Sequence, residues 1–133
     1  MTLKSIFNTL LIAVTLVSCT QNLNSQNGAS VINIDGTKLT EMAKDSNTVI
    51  IDVRTPGEIA EGYIPGTTKF MDYNGGKFDA DFKTLDTSKT YIIYCRSGMR
   101  SSNASNQMIQ AGFKKVYNLS GGINSWSGSL KKD

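Results

Sequence analysis

The chain has 133 residues and a net charge of +3, with its lysines scattered rather than gathered on one stretch. That length holds one domain, and the charge lacks the clustered basic face that a nucleic-acid partner requires. Histidine is absent and there are two cysteines, which excludes Ser-His-Asp and Cys-His catalysis and zinc sites built from His and Cys. A nucleophile here must be activated in another way, and no metal or cofactor is expected.

Lys4 opens the chain with a positive charge, and residues 6–17 form a mostly apolar run. A membrane-crossing helix needs about 20 apolar residues, so this shorter run predicts a secretory leader. Its end, Leu16-Val17-Ser18-Cys19, resembles the bacterial lipobox, which implies cleavage before Cys19 and lipid attachment to it. Buried acyl chains contribute ~0.8 kcal/mol per methylene, so lipid on Cys19 would hold the chain to a membrane. Residues 20–30 carry only Leu23 and Ala29 as apolar side chains, too few for a core. The expected organisation is a leader over 1–18, a lipidated cysteine and polar tether over 19–30, and a folded domain over 31–133, facing the periplasm or the cell exterior. With Cys19 lipidated, Cys95 is the one thiol of the mature chain and has no internal disulfide partner.

Within the domain, residues 31–34 predict a short strand and 37–45 a short helix with Leu39, Met42 and Ala43 on one side. Residues 48–53 (TVIIDV) are continuously apolar up to their aspartate, as in a strand of a parallel sheet buried on both faces. Pro56 opens a helical turn through Ile59 and Ala60, where its missing N–H costs nothing. Residues 68–71 predict a further strand, and 79–85 a brief helix. Residues 91–94 (YIIY) form a second fully apolar strand, and 101–111 a helix ended by Gly112. Residues 116–119 are a last strand, Gly121-Gly122 a turn, and 123–126 a closing helical segment with Trp126 in the core. Strands alternating with helices imply an α/β fold with a mainly parallel central sheet flanked by helices.

Ligands of such sheets bind at the carboxyl ends of the strands. Cys95 sits there, after YIIY and before a helix, and Arg96, Ser97, Gly98, Met99 and Arg100 follow it. Gly98 is free to take unusual dihedrals, so this loop can turn a row of N–H groups inward. Amide nests and helix N-termini bind anions and favour a thiolate over a thiol, and the two arginines add full charges. The loop is therefore expected to make a thiolate and hold an anion beside it. A buried cysteine acting as a small hydrophobe is the alternative. Asp52, Arg54 and Glu58 fit either an ion-paired set that fixes the loop after residues 48–53 or a substrate contact.

The motifs Asp52-Val53-Arg54-Thr55-Pro56-Gly57-Glu58, Gly62-Tyr63-Ile64-Pro65-Gly66, Cys95-Arg96-Ser97-Gly98-Met99-Arg100-Ser101 and Leu119-Ser120-Gly121-Gly122 with Trp126 resemble the rhodanese-like domain in order and spacing. The resemblance spans residues 31–126. It implies the rhodanese fold and sulfurtransferase chemistry of the thiosulfate type, with Cys95 carrying a persulfide. It also implies a small anionic sulfur donor such as thiosulfate, drawn in by Arg96 and Arg100, and a cyanide or thiol acceptor, with any protein acceptor left open. Tyr63 departs from the family pattern, which usually has His in G-H-I-P-G. Phosphatase relatives carry Cys, five residues, then Arg. Here the arginine comes one residue earlier, at Arg100, which matches the six-residue loop of the sulfurtransferases. A binding module without turnover is the other alternative.

Overall fold

A computed structural model of the chain describes residues 28–133. The expected leader, the lipidation at Cys19 and most of the tether lie outside the described residues, and residues 28–30 are exposed coil. The elements in order are β1 (Ile32–Ile34), α1 (Gly36–Met42), β2 (Thr48–Asp52), α2 (Pro56–Ala60), β3 (Thr67–Phe70) and α3 (Lys77–Asp81). A 3-10 turn (Phe82–Thr84), β4 (Thr90–Tyr94), α4 (Met99–Gln110), β5 (Lys115–Leu119) and a second 3-10 turn (Gly122–Ser125) complete the fold.

All five strands pair in parallel in the order β1-β5-β4-β2-β3. This is the α/β architecture that the alternation predicted, because parallel neighbours need a crossover between them. The middle strand β4 is buried at every residue, so its apolar run shows no polar alternation. The pleat still sorts its side chains. Tyr91, Ile93 and Cys95 pack on one face with Phe78 and Phe82 from the α3 side and Met108 from α4. On the other face Ile92 and Tyr94 pack with Ile34, Leu39, Ile50 and Leu119.

Three expectations shift. The helix expected over 101–111 starts at Met99, because Gly98 at φ +103° turns the chain directly from strand end into helix. Arg100 therefore stands in the first helical turn. The brief helix expected over 79–85 is α3 followed by the 3-10 turn Phe82–Thr84. Trp126 is half-buried rather than a core residue: it packs against the second cluster from outside, over Gly36, and its Nε1–H donates to the Ser129 carbonyl at 3.1 Å.

Candidate active site

The cysteine loop begins where β4 ends. Cys95 is 1% exposed, and its carbonyl accepts the Ile123 amide at 2.9 Å while that of Arg96 accepts Asn124 at 3.1 Å. These bonds clamp the loop onto the turn opened by Gly121-Gly122. A Cβ on Gly122 would stand 2.5 Å from the carbonyl oxygens of both Cys95 and Arg96, and its φ is +58°. Only glycine satisfies that position, on grounds of space and of dihedral angle. The double glycine of the last motif is thus a support for the cysteine loop.

The Sγ of Cys95 lies inside the loop. The Gly98 amide donates to it at 3.1 Å and the Ser101 amide at 3.4 Å. The Ser101 hydroxyl stands 3.3 Å from Sγ and 3.2 Å from the Gly98 carbonyl, so its one proton serves both acceptors. Burial pushes the Cys95 thiol up, but the Ser101 hydroxyl and the amides of Ser101, Gly98 and Ser97 outweigh it and hold the thiol below its ordinary value. Among the residues named from sequence, Gly98 gives its amide directly and Ser97 contributes through its own. Met99 points outward, 72% exposed, with α4 beginning at its position. Ser101 was not foreseen as a site residue. The signal available was its position on the first turn of a helix whose free N–H groups aim back at the strand end.

Arg96 and Arg100 do not stand as free charges. Both converge on Glu58, which Arg100 holds through two bonds of 2.8 and 2.9 Å and Arg96 through one of 3.1 Å. The hydrogen bonds from Arg100, with those from Arg96, hold the Glu58 carboxyl at about 2, well below the usual carboxylate range, against the opposing effect of burial. Arg100 is raised in turn, first by Glu58 and to a lesser degree by the charge of Cys95. The three side chains leave the mouth with one net positive charge.

This arrangement corrects the ion-paired set expected of Asp52, Arg54 and Glu58. Arg54 does fork onto Asp52, with Nε at 3.0 and 3.1 Å and Nη2 at 2.7 Å, and both groups are buried. Its remaining bonds go to the carbonyls of Glu58 (3.2 Å) and Gly62 (2.8 Å). Only the backbone of Glu58 takes part. Its carboxylate is free for the arginines because Thr55 caps α2 and sets Glu58 in the first helical turn, beside the cysteine loop. Asp52 and Arg54 thus hold the frame, while Glu58 belongs to the mouth.

Tyr63 also belongs to the frame. Its ring meets Phe70 edge-on at 4.9 Å, its hydroxyl reaches Asp133 at 2.7 Å, and its backbone bridges to Lys131. None of these contacts involves the cysteine loop.

Residues 35–129 match the family described as Rhodanese-like domain. The chain belongs to that family. Among curated relatives, a sulfurtransferase of Allochromatium vinosum is 35% identical over 95 residues, covering 71% of this chain and 86% of its own length. The thiosulfate sulfurtransferase GlpE of Pseudoalteromonas translucida is 32% identical over 92 residues, covering 69% of this chain and 85% of its own. Among solved structures, the rhodanese-like domain protein of Staphylococcus aureus superposes with a TM-score of 0.68 at 25% identity, covering 77% of this chain and 99% of that one. This rhodanese-like domain is accordingly a single unit with sulfurtransferases among its relatives. Its parallel sheet is the fold of that solved neighbour.

Proposed function

We propose that this domain moves sulfane sulfur from thiosulfate, or a donor like it, to a thiophilic acceptor through a persulfide on Cys95. The observation that carries the reading is the buried Sγ with two amides and one hydroxyl aimed at it. Groups that favour a thiolate equally favour an anionic sulfur bound to the same atom. In the first step the Cys95 thiolate attacks the outer sulfur of thiosulfate. A new S–S bond forms, the old one breaks, and sulfite leaves with the electron pair. In the second step the acceptor attacks the terminal sulfur of the persulfide, and the pair of that S–S bond returns to Cys95 as thiolate. Arg96 and Arg100 attract the dianion and Glu58 orients them, so binding and nucleophile share one mouth. This is covalent catalysis by double displacement, without a histidine base.

Thiosulfate and cyanide assays on the full chain test this, alongside an aryl phosphate. Turnover is expected with the sulfur pair alone, and mass spectrometry after thiosulfate should show one added sulfur that cyanide removes. Cys95→Ser should lose transfer entirely while keeping its thermal midpoint, since a hydroxyl of similar size still fits the strand end. Hydrolysis of the aryl phosphate, or transfer that survives in Cys95→Ser, would sink the assignment. A chain inert to every substrate but retained by a partner protein would favour the binding module.

For the leader, we infer a lipoprotein anchored through Cys19 on the outer side of a bacterial membrane, supported by Leu16-Val17-Ser18-Cys19. Cys19→Ser should release the protein from the membrane fraction. Retention as firm as that of the parent would refute the anchor.

A further inference from the structure

Beside the cysteine loop lies a second concavity, of about 240 Å³, lined by Arg54, Glu61, Arg96, Ile123, Asn124 and Leu130. Arg96 is shared by the loop and this cleft. Ile123 and Asn124 are tied to the loop through the amides that clamp Cys95 and Arg96. The Leu130 wall is held by a C-terminal strap. Tyr63 and Lys131 exchange backbone bonds of 2.9 and 2.8 Å, Asp133 takes the Tyr63 hydroxyl, and the Lys131 ammonium stands 5.9 Å over the Tyr63 ring. Leu130 also seats against Gly62, where a Cβ would come within 3.0 Å of it. The departure at Tyr63 from the family pattern thus serves to dock the segment that completes the cleft.

The lining has a definite chemistry. The charge of Arg54 is consumed by Asp52, but Arg96 gives Glu58 only its Nε–H. Among the described residues its Nη groups have no partner, and the side chain is 54% exposed. Glu61 supplies an anion, and Ile123 and Leu130 supply apolar surface. At about 240 Å³ the cleft has room for a small molecule. Thiosulfate and cyanide have neither a cationic group nor an apolar part to use such a lining.

We propose that this cleft is the acceptor subsite and takes a small α-amino-acid thiol. Its carboxylate lies on the Nη groups of Arg96, its ammonium on Glu61, and its methylene against Ile123 and Leu130. The proposal rests on the sulfurtransferase reading above. The acceptor thiolate attacks the outer sulfur of the Cys95 persulfide and forms a new S–S bond. The Cys95 S–S bond breaks, its electron pair stays on Cys95 as thiolate, and an amino-acid persulfide leaves.

The test measures transfer from thiosulfate by the full chain to cysteine, 3-mercaptopropionate, cysteamine and cyanide. Each variant is compared with the parent for the same acceptor, so that intrinsic thiol reactivity cancels. Leu130→Asp, at a half-exposed position outside the loop, should lower kcat/KM for cysteine about tenfold while cyanide changes by less than about twofold. Glu61→Gln should lower cysteine about threefold and leave 3-mercaptopropionate, which has no ammonium, as it was. Losses equal for every acceptor, or absent for all, overturn the proposal. Titration with S-methylcysteine, which cannot accept sulfur, gives a readout free of turnover. By NMR the amides of Ile123, Asn124 and Leu130 should shift in the parent and not in Leu130→Asp. If cyanide turnover is absent, the sulfurtransferase reading fails on its own. If those amides do not shift, the cleft fails on its own.

Discussion

Two neighbouring strands, β2 and β4, each end in a segment rich in charge and hydrogen-bond donors, yet the segments do opposite things. After β2, Arg54 turns its guanidinium back on Asp52 and on two backbone carbonyls, and little of it is left for any ligand. After β4, the donors of Gly98 and Ser101 converge on the one sulfur atom of Cys95. A polar group whose bonds are spent inside the protein builds a frame, and one whose bonds converge on a reactive atom makes a site. Substitutions of Asp52 and Arg54 should therefore cost stability, and substitutions around β4 should cost chemistry.

The sharpest way to break that contrast is Asp52→Ala. It leaves the Arg54 charge buried without its partner, which typically costs about 3–5 kcal/mol, and urea unfolding should show a loss of that size. The folded fraction should keep its transfer rate. A variant as stable as the parent but inactive would move Asp52 and Arg54 out of the frame and into the site.

Gly122→Ala comes next. Its methyl group would meet two carbonyl oxygens of the cysteine loop and must push the loop off its geometry. Displacement of that order lowers turnover about 100-fold, a loss to be read in the thiosulfate assay, with far-UV circular dichroism unchanged. Unaltered activity would mean that the clamp onto the turn is incidental.

The smallest effect is expected of Ser101→Ala. The hydroxyl is the first of the groups that lower the Cys95 thiol, so its removal should raise that pKa toward its ordinary value. A lowered pKa keeps the thiolate present at pH values where an ordinary thiol is protonated. The acid limb of iodoacetamide alkylation should thus move to higher pH in the variant. A limb that stays put would assign the shift to the amides alone.

What the residues determined by themselves is local. An apolar run buried on both faces, a cysteine at its carboxyl end and a glycine three residues on were enough to locate the loop, because strand and turn preferences act over a few residues. The order of the strands and the partners of Glu58 were not legible in that way. Glu58 meets Arg96 and Arg100 across 38 and 42 residues of chain, and nothing near it in sequence prefers them over Arg54. Only the pairing of β2 beside β4 sets α2 against the cysteine loop and makes that choice. The same holds for Gly122 under the loop and for the strap on Tyr63, which spans 70 residues between the Tyr63 and Asp133 side chains. Contacts so distant depend on loop closure and on packing that the whole core must agree upon, and sequence spacing carries no record of them.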